Sequence, residues 1–104
     1  MNENELRLKL IHAFSNPIRI QILELLKVEP LSVGEIVTQV KGTQSNISQH
    51  LACLRGCGLV EKENIGKFVY YKITNDKIKT MLALLDGIVA DIHTDLETCE
   101  YDID

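Results

Sequence analysis

Residues 43–73, "TQSNISQHLACLRGCGLVEKENIGKFVYYKI", constrain the fold more than any other stretch of the chain. Thr43 suits the cap of a helix and Gly58 its end. With Ile47 placed at zero and about 100° per residue, Leu51 falls at about 40° and Leu54 at about 340°. These three form a narrow apolar stripe. Ser45, Asn46, Gln49 and His50 fall on the other side, between about 160° and 300°. The segments "LVEKENI" and "FVYYKI" then flank Gly66-Lys67, with the alternation and the β-branched and aromatic residues of a hairpin.

The flanking sequence supplies more helices. Leu6, Leu10, Ile11 and Phe14 recur at helical spacing, which predicts a helix over about 4–14. "SNP" breaks it, with Ser15 or Asn16 as the next cap and Pro17 in the first turn. "IRIQILELLKV" forms the second helix, and "EPL" ends it. Ser32 and Glu35 have capping-box spacing ahead of "VGEIVTQVK", which Gly42 stops. Thr74 or Asn75 opens a last helix. The order is helix, helix, short helix, capped helix, hairpin, helix. This predicts a mainly α fold with a β-hairpin wing, a winged helix-turn-helix. Residues 1–104 form one domain. The recognition helix lies at about 43–57, the wing at about 59–73, and a C-terminal helix at about 75–97 before an acidic tail.

Composition bounds the class. A chain of 104 residues, 45% hydrophobic with two prolines, is a globular single domain. No apolar run approaches the roughly 20 residues needed to span a bilayer. "MNENELRLKLIH" mixes charge into its apolar pattern and does not resemble a secretory signal, so a cytoplasmic location and no membrane partner are expected. Net charge is −4, yet residues 17–73 carry +2 and residues 74–104 carry −6, so the middle of the chain can face a polyanion. There is no nucleophile–base pair and no phosphate loop, and His12 and His50 lie far apart in sequence. An enzyme is not expected.

The face of the recognition helix is short, polar and uncharged, which suits hydrogen bonds to base edges and phosphates. An ordinary solvated face is the plainer alternative. On the same helix Cys53 falls at about 240° and Cys57 at about 280°, off the apolar stripe. One turn apart, their Cβ atoms lie roughly 5–6 Å from each other. Chance, or packing under the last helix, would also explain the pair. Cys99 sits in "DLETCEYDID", a polar acidic segment that gives a thiol no packing role. Three sulfurs in an otherwise reduced chain suggest a soft, thiophilic ion.

"SNPIRIQILELL", "LSVGEI", "SNISQHLACLRGCGLV" and "GKFVYYKI" resemble the ArsR/SmtB family of metal-responsive winged-helix repressors, over roughly residues 5–80. The resemblance implies a homodimer that binds double-stranded operator DNA and leaves it when an inducer ion binds. The last helix, with the first, would form the dimer interface. Ile78, Met81, Leu82, Leu84, Leu85, Ile88, Val89, Ile92 and Leu96 give that helix an apolar band wider than one small domain needs. Readout or phosphate contact would fall to Thr43, Gln44, Ser45, Asn46, Ser48, Gln49, His50 and Arg55, with Lys62 and Lys67 on the wing.

Two inducer sites known in the family do not match. Ser32 stands where one needs a cysteine. Asn75 or Asp76, with Lys77 or Lys79, replaces the Asp/His set of another. Asp91 and His93 read as solvated. Cys53, Cys57 and Cys99 match the cadmium/lead-sensing type residue by residue, in which the third cysteine comes from the other subunit. Cd(II) or Pb(II) is the expected inducer, and Zn(II), Hg(II) and As(III) are other ions that three thiols would take. A redox switch through the same cysteines remains an alternative. So does a metal carrier or protein-interaction module that never binds DNA.

Overall fold

Every helix through residue 91 begins at a side chain that accepts a backbone N–H. In this computed structural model, which describes residues 1–100, Asn2 caps α1 (Glu3–Phe14) and Asn16 caps α2 (Pro17–Val28). Asn16 accepts from Ile18 and Arg19 at 2.9 and 3.1 Å, and Pro17 fills the first helical position. Ser32 and Glu35 form the reciprocal capping box of α3 (Val33–Gln39), at 3.2 and 3.1 Å. Thr43 Oγ1 accepts from the Asn46 N–H at 3.1 Å and opens α4 (Gln44–Gly56). Asn75 opens α5 (Asp76–Asp91). Such caps satisfy amide groups that the helix cannot, each worth about 1 kcal/mol.

The end of α4 is a Schellman turn. The Gly58 N–H reaches the Arg55 carbonyl at 3.0 Å and the Leu59 N–H reaches the Leu54 carbonyl at 2.9 Å, with Gly58 at φ +83°. Leu54 and Leu59, both buried, provide the apolar contact that accompanies this turn. The chain then enters the hairpin of β2 (Val60–Ile65) and β3 (Phe68–Ile73), in register from Val60 opposite Ile73 to Ile65 opposite Phe68. The two-residue turn has Gly66 at φ +62° and Lys67 at negative φ, as a type II′ turn requires.

The sheet has a third strand that the sequence did not reveal. Residues Leu31–Ser32 form β1 and pair antiparallel with β3, giving the order β1-β3-β2. Two residues are too few for a periodic signal, and the pairing is supplied by β3. The predicted third helix also ends earlier, at Gln39, because Val40 is extended and turns its side chain into the core.

The core lies between α2, α3, α4 and the sheet. Ile22, Leu23, Leu26, Ile36, Ile47, Leu51, Leu54, Leu59, Val60 and Leu82 are its most enclosed members. Full burial of each such aliphatic chain is worth about 1.5–3 kcal/mol. α5 joins this core through Leu82, with Ile78 and Met81 packed against it. Beyond that point its apolar residues face outward.

The single last helix of the sequence reading is two helices. Ile92 leaves helical geometry (φ −118°, ψ 27°), and α6 (His93–Thr98) follows without a side-chain cap. From Leu84 onward none of the described residues is buried, so continuity rests on local propensity. Ile92, His93 and Thr94 are weak helix formers. No helix among the described residues is long and apolar enough to cross a membrane.

Candidate nucleic-acid interface and thiol pair

α4 presents two chemically different surfaces beside its buried stripe. Gln44, Ser45, Asn46, Ser48 and Gln49 are exposed, as are Thr43 and Arg55, while Ile47, Leu51 and Leu54 are enclosed. The first turn of α4 carries no carboxylate, unlike those of α1, α3 and α5. Its free amides and the positive end of its dipole therefore face outward without an acidic neighbour on the helix. Thr43 has its hydroxyl oxygen committed to the cap, which leaves its O–H as the outward donor.

His50 differs from the other nominated side chains. It is half-buried, because about 300° lies next to the apolar stripe. Its Nδ1 lies 3.4 Å from Arg19 Nη1. A guanidinium only donates, so Nδ1 accepts and the ring proton sits on Nε2. Burial, and secondarily the charge of Arg19, hold the imidazole below its ordinary pKa. The sequence analysis did not nominate Arg19. The available signal was a lone cation inside the apolar run "IRIQILELL".

The wing sorts its charges. Lys72 lies 3.5 Å from Glu61 and 3.3 Å from Glu63, and these carboxylates lift its pKa. Lys62 and Lys67 are exposed and form no ion pair among the described residues. Lys62 Nζ sits 5.9 Å from the centre of the Tyr71 ring, and Lys67 occupies the turn. The wing therefore offers cations beside the α4 surface, with both of its acids already paired.

Cys53 and Cys57 are exposed free thiols. The Cys57 N–H donates to the Cys53 carbonyl at 3.0 Å, so the two stand one turn apart at the end of α4. Both open onto a groove of about 410 Å³ between α4 and α1, whose other wall includes Leu8, Lys9, His12 and Ala13. Cys99 caps the end of α6 and is also exposed. Among the described residues no three His, Cys, Asp or Glu side chains gather as a metal site. One subunit thus pairs Cys53 with Cys57 but does not bring Cys99 to them. Ser32 is used as a helix cap, and His93 lies 3.2 Å from Glu97.

The profile of the bacterial regulatory proteins of the arsR family matches residues 16–62. The chain is 41% identical over 76 residues to the transcriptional activator HlyU of Vibrio cholerae, covering 73% of this chain and 70% of that one. It is 35% identical over 87 residues to the transcriptional regulator CmtR of Mycobacterium tuberculosis, covering 84% and 74%. Its fold is similar to the homodimeric winged helix-turn-helix domain of Mb0332 from Mycobacterium bovis. That likeness has a TM-score of 0.75 at 31% identity and covers 94% of this chain and 88% of that one.

Proposed function

Because the chain belongs to the ArsR family of bacterial transcription regulators, we propose that it is a repressor that holds operator DNA as a homodimer and releases it on capturing Cd(II) or Pb(II). Membership of the family makes it a regulator and not an enzyme.

The apo dimer presents α4 of each subunit to successive major grooves. Asn46, Gln49 and Ser45 read base edges or position the helix. Gln44, Ser48, Thr43 and Arg55 reach phosphates, with Lys62 and Lys67 on the flanking backbone. His50 offers its Nε2 proton as a neutral donor. Dimerisation uses the apolar residues that α1, α5 and α6 leave exposed, among them Leu6, Leu84, Ile88, Val89 and Leu96.

The observation that carries the metal reading is the placement of Cys53 and Cys57. Two accessible thiols one turn apart sit on the helix whose other face is free for DNA. Their donor set fits a soft ion. The resemblance to the cadmium/lead-sensing type assigns the third thiol, Cys99, to the partner subunit, and the described residues of one subunit do not gather all three. Held by Cys53 and Cys57 of one subunit and Cys99 of the other, a soft ion would link the subunits and favour a geometry with lower DNA affinity. A coupling of about 1.4 kcal/mol already gives a tenfold change.

An anaerobic Cd(II) titration of the reduced protein tests this reading. Thiolate-to-metal absorption and operator affinity are followed together, in the wild type and in Cys53→Ser, Cys57→Ser and Cys99→Ser. Three-sulfur absorption with parallel loss of DNA binding, weakened in each variant, is the expected result. Operator binding that ignores Cd(II) but responds to arsenite, Hg(II) or peroxide would transfer the thiols to that signal. No sequence-selective DNA binding at all would leave a carrier or interaction module.

A further inference from the structure

Three hydrogen bonds from one side chain join the two walls of the thiol groove. Arg19, in the first turn of α2, donates from Nε to the Ala13 carbonyl at 2.9 Å and from Nη2 to the His12 carbonyl at 3.0 Å. Its Nη1 lies 3.4 Å from His50 Nδ1 on α4. We propose that Arg19 is the positioning residue through which the Cys53/Cys57 groove is coupled to the DNA-facing side of α4.

The geometry carries this in three steps. His12 and Ala13, whose carbonyls Arg19 holds, line the α1 wall of the groove that Cys53 and Cys57 line from α4. His50 precedes Cys53 by three residues and follows Asn46 by four, so along the helix it neighbours that thiol on one side and the exposed Asn46 on the other. The buried residues of α1 are Ala13 and Phe14, both at this same end, so the position of α1 is set where Arg19 grips it. A guanidinium is a planar fork with fixed donor directions. A change in the spacing of α1 and α4 at the thiols must therefore turn His50 or break one of the three Arg19 bonds. The Ser15 N–H and hydroxyl also reach the His12 carbonyl, at 3.1 and 3.0 Å, so α1 keeps a terminal cap when Arg19 is replaced.

This proposal rests on the ion-sensing reading, and the test separates the two. Operator affinity is measured with and without Cd(II), on a duplex selected from a random pool by the wild type. The wild type is expected to lose about tenfold or more in affinity, within the usual range of couplings. Arg19→Gln should still take up Cd(II) and bind the duplex, with the Cd(II) effect reduced to less than about a third of the wild-type factor. His50→Leu also loses the Nε2 donor, so it should bind the duplex more weakly from the start but show the same reduced ratio with and without Cd(II), whereas His50→Gln, which retains an acceptor for Arg19, should keep the wild-type factor. The metal-free protein gives a second readout. Imidazole ¹⁵N shifts should report one Nε2–H tautomer for His50 in the wild type and a mixture in Arg19→Gln. Should Arg19→Gln fail to fold, His50→Leu leaves both bonds to α1 in place and makes the same comparison. A responsive wild type whose Arg19→Gln or His50→Leu variant responds equally overturns the coupling. So does a His50 tautomer indifferent to Arg19. A wild type that ignores Cd(II) overturns the ion reading and the coupling with it.

Discussion

The Thr74 hydroxyl donates to the Gly58 carbonyl at 2.7 Å, and the Thr74 N–H reaches the Leu59 carbonyl at 3.1 Å. The exit of the wing is thereby fastened to the exit of α4. Thr74 is not the cap of α5, a role that Asn75 fills. Replacing Thr74 by Val removes the hydroxyl at nearly constant shape. The expected cost is about 1 kcal/mol, or a fall in Tm of about 4–8 °C for a domain of this size. Thr74→Ser should stay close to the wild type. Thermal unfolding of the two variants checks this, and a loss confined to Thr74→Ser would assign the effect to the methyl group instead.

Gly58 holds the left-handed position of the Schellman turn. A Cβ added there meets nothing within 4 Å, so the penalty of Gly58→Ala is purely conformational. It should be about 1–2 kcal/mol, with Gly58→Asn costing less because Asn tolerates this region. Denaturant midpoints measure the difference. Gly56→Ala, inside α4 and with equally open space, should stabilise or be neutral, which makes it the control.

The elements nearest α4 were the most readable in sequence. Thr43 and Gly58 set its ends, and Ile47, Leu51 and Leu54 are enclosed as the helical angles require. The hairpin turn was equally explicit, because Gly66-Lys67 can only close strands of that length one way. What sequence missed depends on partners distant in the chain. β1 exists because β3 lies beside it, and α6 separates from α5 at Ile92, which is exposed and not anchored in the core. The same holds for the site. The exposure of Ser45, Asn46 and Gln49 followed from periodicity, as did the half-burial of His50 beside the apolar stripe, but its bond to Arg19, 31 residues earlier, did not. Helical spacing paired Cys53 with Cys57. It said nothing on where Cys99 lies, and the single subunit leaves that thiol apart.

His50 makes stability depend on pH. Its imidazole is held below the ordinary value of 6.5 by burial first and by Arg19 second. The folded state thus favours the neutral ring, and the unfolded state takes up a proton sooner as pH falls. The stabilisation is complete above about pH 7. It declines as pH drops through 6.5 and levels off below the folded pKa. Unfolding midpoints between pH 8 and 5 should show this slope. His50→Gln should flatten it, and an unchanged slope would remove His50 as its source.

The nominated DNA contacts divide by their salt dependence. Gln49→Ala or Asn46→Ala removes an uncharged donor–acceptor pair. Each should cost about 1–3 kcal/mol on the preferred duplex and relax discrimination at one base position. The slope of log affinity against log salt should not change. Lys67→Ala should weaken all duplexes alike and reduce that slope by about one. Lys72→Ala should leave the slope nearly unaltered, because Glu61 and Glu63 already neutralise it. Binding isotherms at several salt concentrations, on selected and scrambled duplexes, distinguish these cases. A Gln49 variant that loses affinity equally on both duplexes would remove Gln49 from base readout.

The outward row on the last helices sets the final expectation. Leu84 is 61% exposed, Ile88 52% and Val89 46%, and Ile92 and Leu96 continue the row. Such a run on one helix face marks an association surface, since isolated monomers seldom expose that much contiguous apolar area. Ile88→Glu places a charge in its centre without touching the core, where α5 is anchored by Leu82. The variant should keep its unfolding cooperativity and sediment at the 11.7 kDa of one chain, against twice that for the wild type. Its affinity for a two-half-site duplex should fall to that for one half-site. If Cys99 serves the opposite subunit, the monomeric variant should also lose the third sulfur from its Cd(II) absorption while Cys53 and Cys57 still bind. A monomer that retains three-sulfur absorption would place Cys99 within its own subunit's site, and a variant that remains dimeric would move the interface off this row.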